Sequence, residues 1–209
     1  MFFSFFFLFL FGFASSTDGQ SVFNGWKQNS SMDGAQISVC DGVYEPREDS
    51  YLLADAVEEH ARGRVLDLGT GSGIQGITAA MKGCDVTFSD INGKALECAH
   101  SNATRNGVDG KFAESDMFGS IHGKFDTIIF NPPYLPSRDK ASVDLDGGKG
   151  GRELIDRFIA SYKEHLEDGG IALLLESSLN GYSTDTGKGM EIVRKSHYFF
   201  EDLVVLLLR

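Results

Sequence analysis

Residues 64–76 read RVLDLGTGSGIQG. A short apolar run, Val65 to Leu68, ends on glycines at positions 69, 71 and 73. Such a run bounded by a glycine turn predicts a buried strand. The segment GIQGITAAMK at 73–82 predicts the helix that follows. Glycines between a strand and a helix let the backbone come close to a ligand, and the helix start offers its unpaired N–H groups.

Upstream of this unit, EPREDSYLLADAVEEHA at 45–61 predicts a helix whose start Asp49 or Ser50 can cap. Downstream, DVTFSD (85–90), KFAES (111–115) and KFDTIIF (124–130) predict strands. NGKALECAHSNATRNG (92–107) predicts a helix stopped at Asn106-Gly107. GRELIDRFIASYKEHLEDGG (151–170) predicts an amphipathic helix with a glycine stop. IALLLES (171–177), MEIVR and DLVVLLLR predict three further strands. Strands alternating with helices predict an α/β fold with a mostly parallel, seven-stranded sheet and helices on both faces. No linker divides the later chain, so residues 32–209 are expected to form one domain. The loop 131–150 is long for a strand-to-helix connection, a length that goes with function or disorder.

The 209 residues carry a formal net charge of −11. An acidic chain repels phosphate backbones, so no stable nucleic-acid binding is expected. The three cysteines, Cys40, Cys84 and Cys98, form no CxxC pair and are odd in number. That pattern suits a reduced intracellular protein rather than a disulfide scaffold. The five histidines are scattered without metal-ligand spacing, so no metal site is expected. Residues 1–31 are a separate matter. They open with MFFSFFFLFLFGFASS, which holds eight of the seventeen phenylalanines. The stretch reads as a secretory signal, as a weak membrane anchor, or as sequence upstream of a true start at Met32. The cofactor chemistry argued below favours the last, with a cytoplasmic protein that meets no membrane unless residues 1–13 are retained.

The acids around the glycine turn narrow the ligand. Asp90 ends the second predicted strand, where a carboxylate accepts from ribose hydroxyls. Gly71-x-Gly73-x-x-Gly76 fits the dinucleotide fingerprint. Counted from Gly69, however, the spacing is GxGxG, with Asp67 two residues before it. An acid there suits a ligand amino group better than a pyrophosphate, which favours S-adenosylmethionine over NAD. Asp116 and Met117 follow the third predicted strand, where a carboxylate can take an adenine amino group and the thioether can line the ring. A solvated turn acid is the plainer reading of Asp116 alone.

The segment DTIIFNPPYLP at 126–136 holds three of the four prolines of the chain. Pro132 and Pro133 have no N–H and a fixed φ, which stiffens the turn and leaves carbonyls free to accept. The Asn131 oxygen and a proline carbonyl can together accept both hydrogens of one NH₂ group, and Tyr134 can stack on the planar group that carries it. That arrangement orients a poorly nucleophilic amide or aminopurine nitrogen toward a methyl donor without a strong base.

Gly69–Gly73, Asp90, Asp116 and the NPPY motif at 131–134 resemble a class I, Rossmann-like N-methyltransferase. VYEPREDSYLLADAV (43–57) and GGKGGRELIDRF (147–158) narrow the resemblance to the HemK-like release-factor glutamine N5-methyltransferases. The chain has no room for the extra N-terminal helical domain of the bacterial branch, so it is similar to the short archaeal or eukaryotic branch. The resemblance implies S-adenosylmethionine, held by Ser50, Asp67, Gly69, Gly71, Gly73, Asp90, Ile91, Asp116, Met117 and Asn131. It implies that Asn131, Pro132, Pro133 and Tyr134 hold the acceptor amide, with Asn131, Pro132 and Tyr134 catalytic. The expected acceptor is the glutamine of the Gly-Gly-Gln motif in a class I peptide chain release factor, and the expected partner a small zinc-binding activator subunit. The alternatives are methylation of an exocyclic amine of RNA or DNA, and an inactive cofactor-binding scaffold. One departure stands out. Only Ser183 to Gly189 fill the place where the family carries a helix. Glycines 147, 148, 150 and 151 are expected to form a mobile lid, with Arg152 either anchoring it by pairing with an acid or standing solvated at the helix start.

Overall fold

The computed structural model describes residues 34–133, 152–182, 190–198 and 201–209. The N-terminal segment, Tyr134, the glycine-rich stretch 147–151 and the short segment 183–189 lie outside the described residues.

Seven strands form one sheet: β1 (Arg64–Leu68), β2 (Asp85–Asp90), β3 (Lys111–Glu114), β4 (Phe125–Phe130), β5 (Leu166–Ser177), β6 (Glu191–Tyr198) and β7 (Glu201–Leu208). Their order across the sheet is 3-2-1-4-5-7-6. The first five run parallel, and β7 lies antiparallel to both β5 and β6. The helices are α1 (Glu48–His60), α2 (Ile74–Met81), α3 (Gly93–Arg105) and α4 (Glu153–Ser161).

The central strands read as continuous apolar runs because both faces of the sheet are covered. Val65, Ile129, Leu173 and Val205 point into one core, shared with Leu53, Val57, Ile77 and Ala99 of α1, α2 and α3. Their neighbours in sequence, Leu66, Ile128, Leu174 and Val204, point into the other core, with Ile155 and Phe158 of α4. A period of two along each strand thus fills two cores at once.

Three expectations need correction. Neither Asp49 nor Ser50 caps α1: the cap position is Arg47, extended and without a side-chain cap, and both expected caps are buried in the first turn. Acids in that turn already complement the positive helix end, and the two side chains are turned to other partners. The helix expected to run to Gly170 stops at Ser161 and tightens into a 3₁₀ turn, Tyr162–His165. Leu166–Gly170 instead opens β5, with a register irregularity opposite Phe125 and Thr127 and with Gly169 at φ 77°.

The third correction concerns the thiols. Cys40 and Cys98 form a disulfide across a sequence separation of 58, and Cys84 alone is free. The segment before Cys40 lies along α3, held by two asparagines one helical turn apart. Asn102 Oδ1 accepts from the Ser38 N–H at 2.9 Å and Asn106 Oδ1 from the Gln36 N–H at 2.8 Å. Their Nδ2 groups donate back to the Ser38 and Gln36 carbonyls at 3.1 and 2.9 Å. No spacing rule anticipates this pairing, because it depends on where the segment lands.

Candidate active site

The strand order reverses between β1 and β4, the place where open α/β sheets bind ligands beyond their carboxyl ends. Leu68 pairs with Phe130, so the next residues on the two strands are Gly69 and Asn131. The glycine turn and the Asn-Pro-Pro segment therefore start side by side. Between them and the ends of β2 and β3 opens a cavity of about 700 Å³. That volume suits a cofactor-sized ligand.

The glycine turn is set by backbone conformation. Gly69, Gly71 and Gly73 take φ of 64°, 54° and 87°, which L side chains rarely adopt. Gly76 is required by a close approach instead: a Cβ there would lie 2.3 Å from Cε1 of the buried Phe88. Asp67 sits under the turn. Its Oδ2 accepts from the Thr70 hydroxyl at 2.6 Å and from the Gly76 N–H at 2.8 Å. Burial pushes the Asp67 carboxyl up to about 7, against the pull of those two hydrogen bonds and with a smaller push from Asp90.

Of the expected cofactor residues, Ser50, Gly69, Gly71, Asp90, Ile91, Asp116, Met117 and Asn131 all line the cavity. Asp67 and Gly73 are not on its wall. Asp67 instead braces the turn, and Gly73 packs its α-carbon side against Ala99 at the cap of α2. Asp90 accepts the Gly71 N–H at 3.0 Å on one oxygen and the Asn92 N–H at 2.9 Å on the other. These two bonds aim the carboxylate, and a carboxylate oxygen accepts more than one hydrogen bond, so hydroxyls stay within its chemistry. Ile91 is 66% exposed on the same rim. Met117 turns the chain at a φ of 51°. Asp116 already accepts from Arg157 at 2.9 Å. Both are solvent-facing, so that pair shapes the rim more than it stabilises the fold.

The side of the cavity at the end of β4 is built from side chains. Asn131 Nδ2 donates to Asp49 Oδ2 at 3.1 Å and approaches the Ser50 hydroxyl at 3.5 Å. Asp49, 3% exposed, takes the Tyr44 hydroxyl on its other oxygen at 3.1 Å and the Ser50 hydroxyl at 3.3 Å. Burial, followed by the charge of Asp49, raises the Tyr44 phenol well above its usual range, so it remains a donor. Pro132 and Pro133 join the wall beside Asn131.

Two oxygens on this wall, Gln75 Oε1 and Asn131 Oδ1, are buried without a hydrogen-bond partner among the described residues. Buried acceptors left unsatisfied are costly and point to a missing donor. S-Adenosylmethionine fits this donor set: hydroxyls for Asp90, a flat ring for Ile91 and Met117, and an ammonium for the acceptors near α2. Sequence reasoning missed Tyr44, Asp49, Gln75 and Arg157 as wall residues. The first two sit in the VYEPREDS block, where only Ser50 was singled out, and Gln75 has the look of an ordinary helix residue.

Among the described residues no cluster of three metal-ligating side chains occurs, and no helix is long and apolar enough to cross a membrane.

This sheet, with its antiparallel seventh strand inserted before the sixth, is that of the class I methyltransferases, and the chain is an S-adenosylmethionine-dependent methyltransferase. Residues 45–197 match the family described as Methyltransferase small domain. The chain belongs to that family, and its HemK-like character is borne out by its relatives. A protein of Methanocaldococcus jannaschii assigned as an N5-glutamine methyltransferase is 38% identical over 188 residues, covering 84% of this chain and 95% of its own. Ribosomal RNA small subunit methyltransferase C of Haemophilus influenzae is 37% identical over 125 residues, 56% of this chain but only 38% of that protein. The solved Mtq2–Trm112 complex of E. cuniculi, described as responsible for methylation of the translation termination factor eRF1, matches with a TM-score of 0.62 and 30% identity. The match covers 79% of this chain and 97% of that one.

Proposed function

We propose that the chain methylates the N5 nitrogen of the glutamine in the Gly-Gly-Gln motif of a class I peptide chain release factor. The observation that carries this reading is the unsatisfied Asn131 Oδ1 at the end of β4, beside Pro132 and next to the glycine turn. When bound, S-adenosylmethionine supplies an electrophilic methyl group on a positive sulfur. Ser50, the glycine turn, Asp90, Ile91, Asp116 and Met117 hold that cofactor, while Asp67 acts from beneath by bracing the turn. Asn131 Oδ1 and the Pro132 carbonyl accept the two amide hydrogens, so the nitrogen lone pair is aimed rather than activated by a base. Pro133 keeps that turn stiff, and the stacking role that the family resemblance gives Tyr134 falls outside the described residues.

The near-complete coverage of the M. jannaschii protein and of the E. cuniculi enzyme supports a glutamine acceptor. The latter also supports a small partner subunit, which the resemblance to the family makes a zinc-binding activator. Mass spectrometry of release-factor peptides after incubation with the enzyme, a partner subunit and cofactor tests the reading. A single methyl gain on the Gly-Gly-Gln peptide is expected, and no gain with active enzyme defeats it. Similarity to the ribosomal RNA enzyme favours a second reading, transfer to an exocyclic base amine. The net charge of −11 opposes it. Methyl transfer to nucleic acid but not to the release factor would reverse the order.

A further inference from the structure

An asparagine side chain has two chemically opposite ends on nearly the same shape. To hold an NH₂ group, residue 131 must present oxygen to the acceptor. Presenting its own NH₂ would set donor against donor. Packing alone distinguishes the two flips weakly, since the amide oxygen and nitrogen are of similar size. Only the hydrogen-bond partner of the other end decides between them.

We propose that Asp49 is the positioning residue that fixes this orientation, with Tyr44 and Ser50 fixing Asp49 in turn. The inference deepens the glutamine reading given above and rests on it for the identity of the acceptor, but not for the orientation itself. A carboxylate only accepts, so the group that faces Asp49 Oδ2 at 3.1 Å must be the Asn131 NH₂. The opposite flip would put two acceptor oxygens at that distance in a buried place, a costly arrangement. Asn131 Oδ1 is thereby committed to the other side, where it has no protein partner among the described residues.

The carboxylate is itself locked. Its Oδ1 receives the hydroxyls of Tyr44 and Ser50 at 3.1 and 3.3 Å, which leaves Oδ2 for Asn131. Asp49 lies in the first turn of α1, where the helix dipole favours a negative group, and is 3% exposed, so water does not compete for its oxygens. A bond from an amide N–H to a charged acceptor also draws electron density toward the amide oxygen. Chains of this kind strengthen each member by roughly 10–30%. Asp49 therefore selects the oxygen end and makes it a better acceptor, without touching the reacting atoms.

The orientation can be read without any methyl acceptor. In ¹⁵N-edited NMR, the side-chain amide pair that disappears in Asn131→Asp identifies Asn131. In the wild type one of its protons is expected downfield and slow to exchange. In Asp49→Asn both properties are lost, since the introduced amide can meet either flip. An averaged, fast-exchanging Asn131 pair in the wild type overturns the proposal whatever the acceptor is.

The consequence is read in a double-mutant cycle with release factor as methyl acceptor. Asp49→Asn is expected to lower kcat on the order of 100-fold, with S-adenosylhomocysteine affinity changed less than about threefold. Asn131→Asp alone sets two carboxylates face to face and is expected to be worse. The pair Asp49→Asn with Asn131→Asp restores one donor facing one acceptor, and should exceed Asn131→Asp alone by about tenfold. A double variant no better than the product of the singles overturns the positioning role. If the carboxylate variants do not fold, Tyr44→Phe serves instead. It should lower kcat about threefold to tenfold by freeing one hydrogen bond on Asp49, and an unchanged kcat overturns the proposal. Failure of the glutamine reading shows separately, as no transfer by wild-type enzyme while the NMR signature stands.

Discussion

The two ends of the cavity are built on different principles. At the ends of β1 and β2, the wall is largely main chain: Gly69 and Gly71, both with positive φ, beside Asp90 held by the backbone N–H groups of Gly71 and Asn92. At the end of β4, the wall is side chain: Asn131, Asp49, Ser50 and Tyr44 joined by hydrogen bonds, with Asn131 and Asp49 82 residues apart in sequence. Backbone walls bind a constant ligand, because no side-chain choice is needed beyond glycine. Side-chain walls set orientation and specificity, and a single substitution can reverse their polarity.

The sharpest way to separate the two ends is to remove one residue from each. Asn131→Ala should cost on the order of 1000-fold in kcat, the scale of losing a group that stabilises the reacting centre, with cofactor binding retained. Asp90→Ala should do the converse and weaken S-adenosylmethionine binding about 10- to 100-fold, the range for hydrogen bonds to a charged group. Calorimetric titration and single-turnover kinetics read the two effects independently. Equal effects of both variants on binding would collapse the distinction.

Next in size are two tests of the scaffold behind the cofactor end. Gly76→Ala would place a Cβ 2.3 Å from Phe88, whose ring stacks on Phe112 at 4.8 Å. Overpacking of this kind costs roughly 1–3 kcal/mol, visible as a lower Tm. Cys40→Ser removes the clasp between the N-terminal segment and α3. Loss of a disulfide closing a loop of this size costs roughly 2–4 kcal/mol. Reductant should bring the wild-type Tm down to that of the variant; a wild-type Tm indifferent to reductant would show that the clasp contributes nothing.

The last test is a pH slope. Asp67 ionises near ~4 in an unfolded chain but at about 7 when folded, chiefly through burial. Between those values the folded protein keeps a proton that the unfolded chain has lost. Its contribution to stability is therefore full below pH ~4 and is lost as pH rises through about 7. Asp67→Asn keeps an oxygen for Thr70 and Gly76 and removes the ionisation. Denaturant titrations should show wild type losing stability relative to the variant over that window, and a constant difference would refute the shift.

The parts legible in the sequence were those written in neighbouring residues. The strand before Gly69, the stop at Asn106-Gly107, the other strands of the parallel set and the glycine turn all follow from local pattern and turn chemistry. The boundary at Ser161 was not legible, because Tyr162 and Leu166 are pulled into the core beside Phe158 and Phe125 and the chain tightens to reach it. Asp116 and Asp90 look alike as strand-end acids, yet one is paired at the rim with Arg157 and the other is aimed by two backbone N–H groups. Asp49 and Ser50 have the composition of helix caps. Their use at the site depends on α1 landing against the end of β4, a contact no local rule contains.

By itself, the sequence determined the strand-and-helix alternation, the conformation of the glycine turn and the chemical type of the groups at the strand ends. Each follows from φ/ψ limits and hydrophobic period over a few adjacent residues. Only the tertiary structure decided which cysteines meet, which acids brace the turn and which end of the Asn131 amide meets Asp49. The first and last of those outcomes depend on partners brought together across 58 to 82 residues by burial of a shared core, and burial makes an unmatched donor or acceptor too costly to leave to chance.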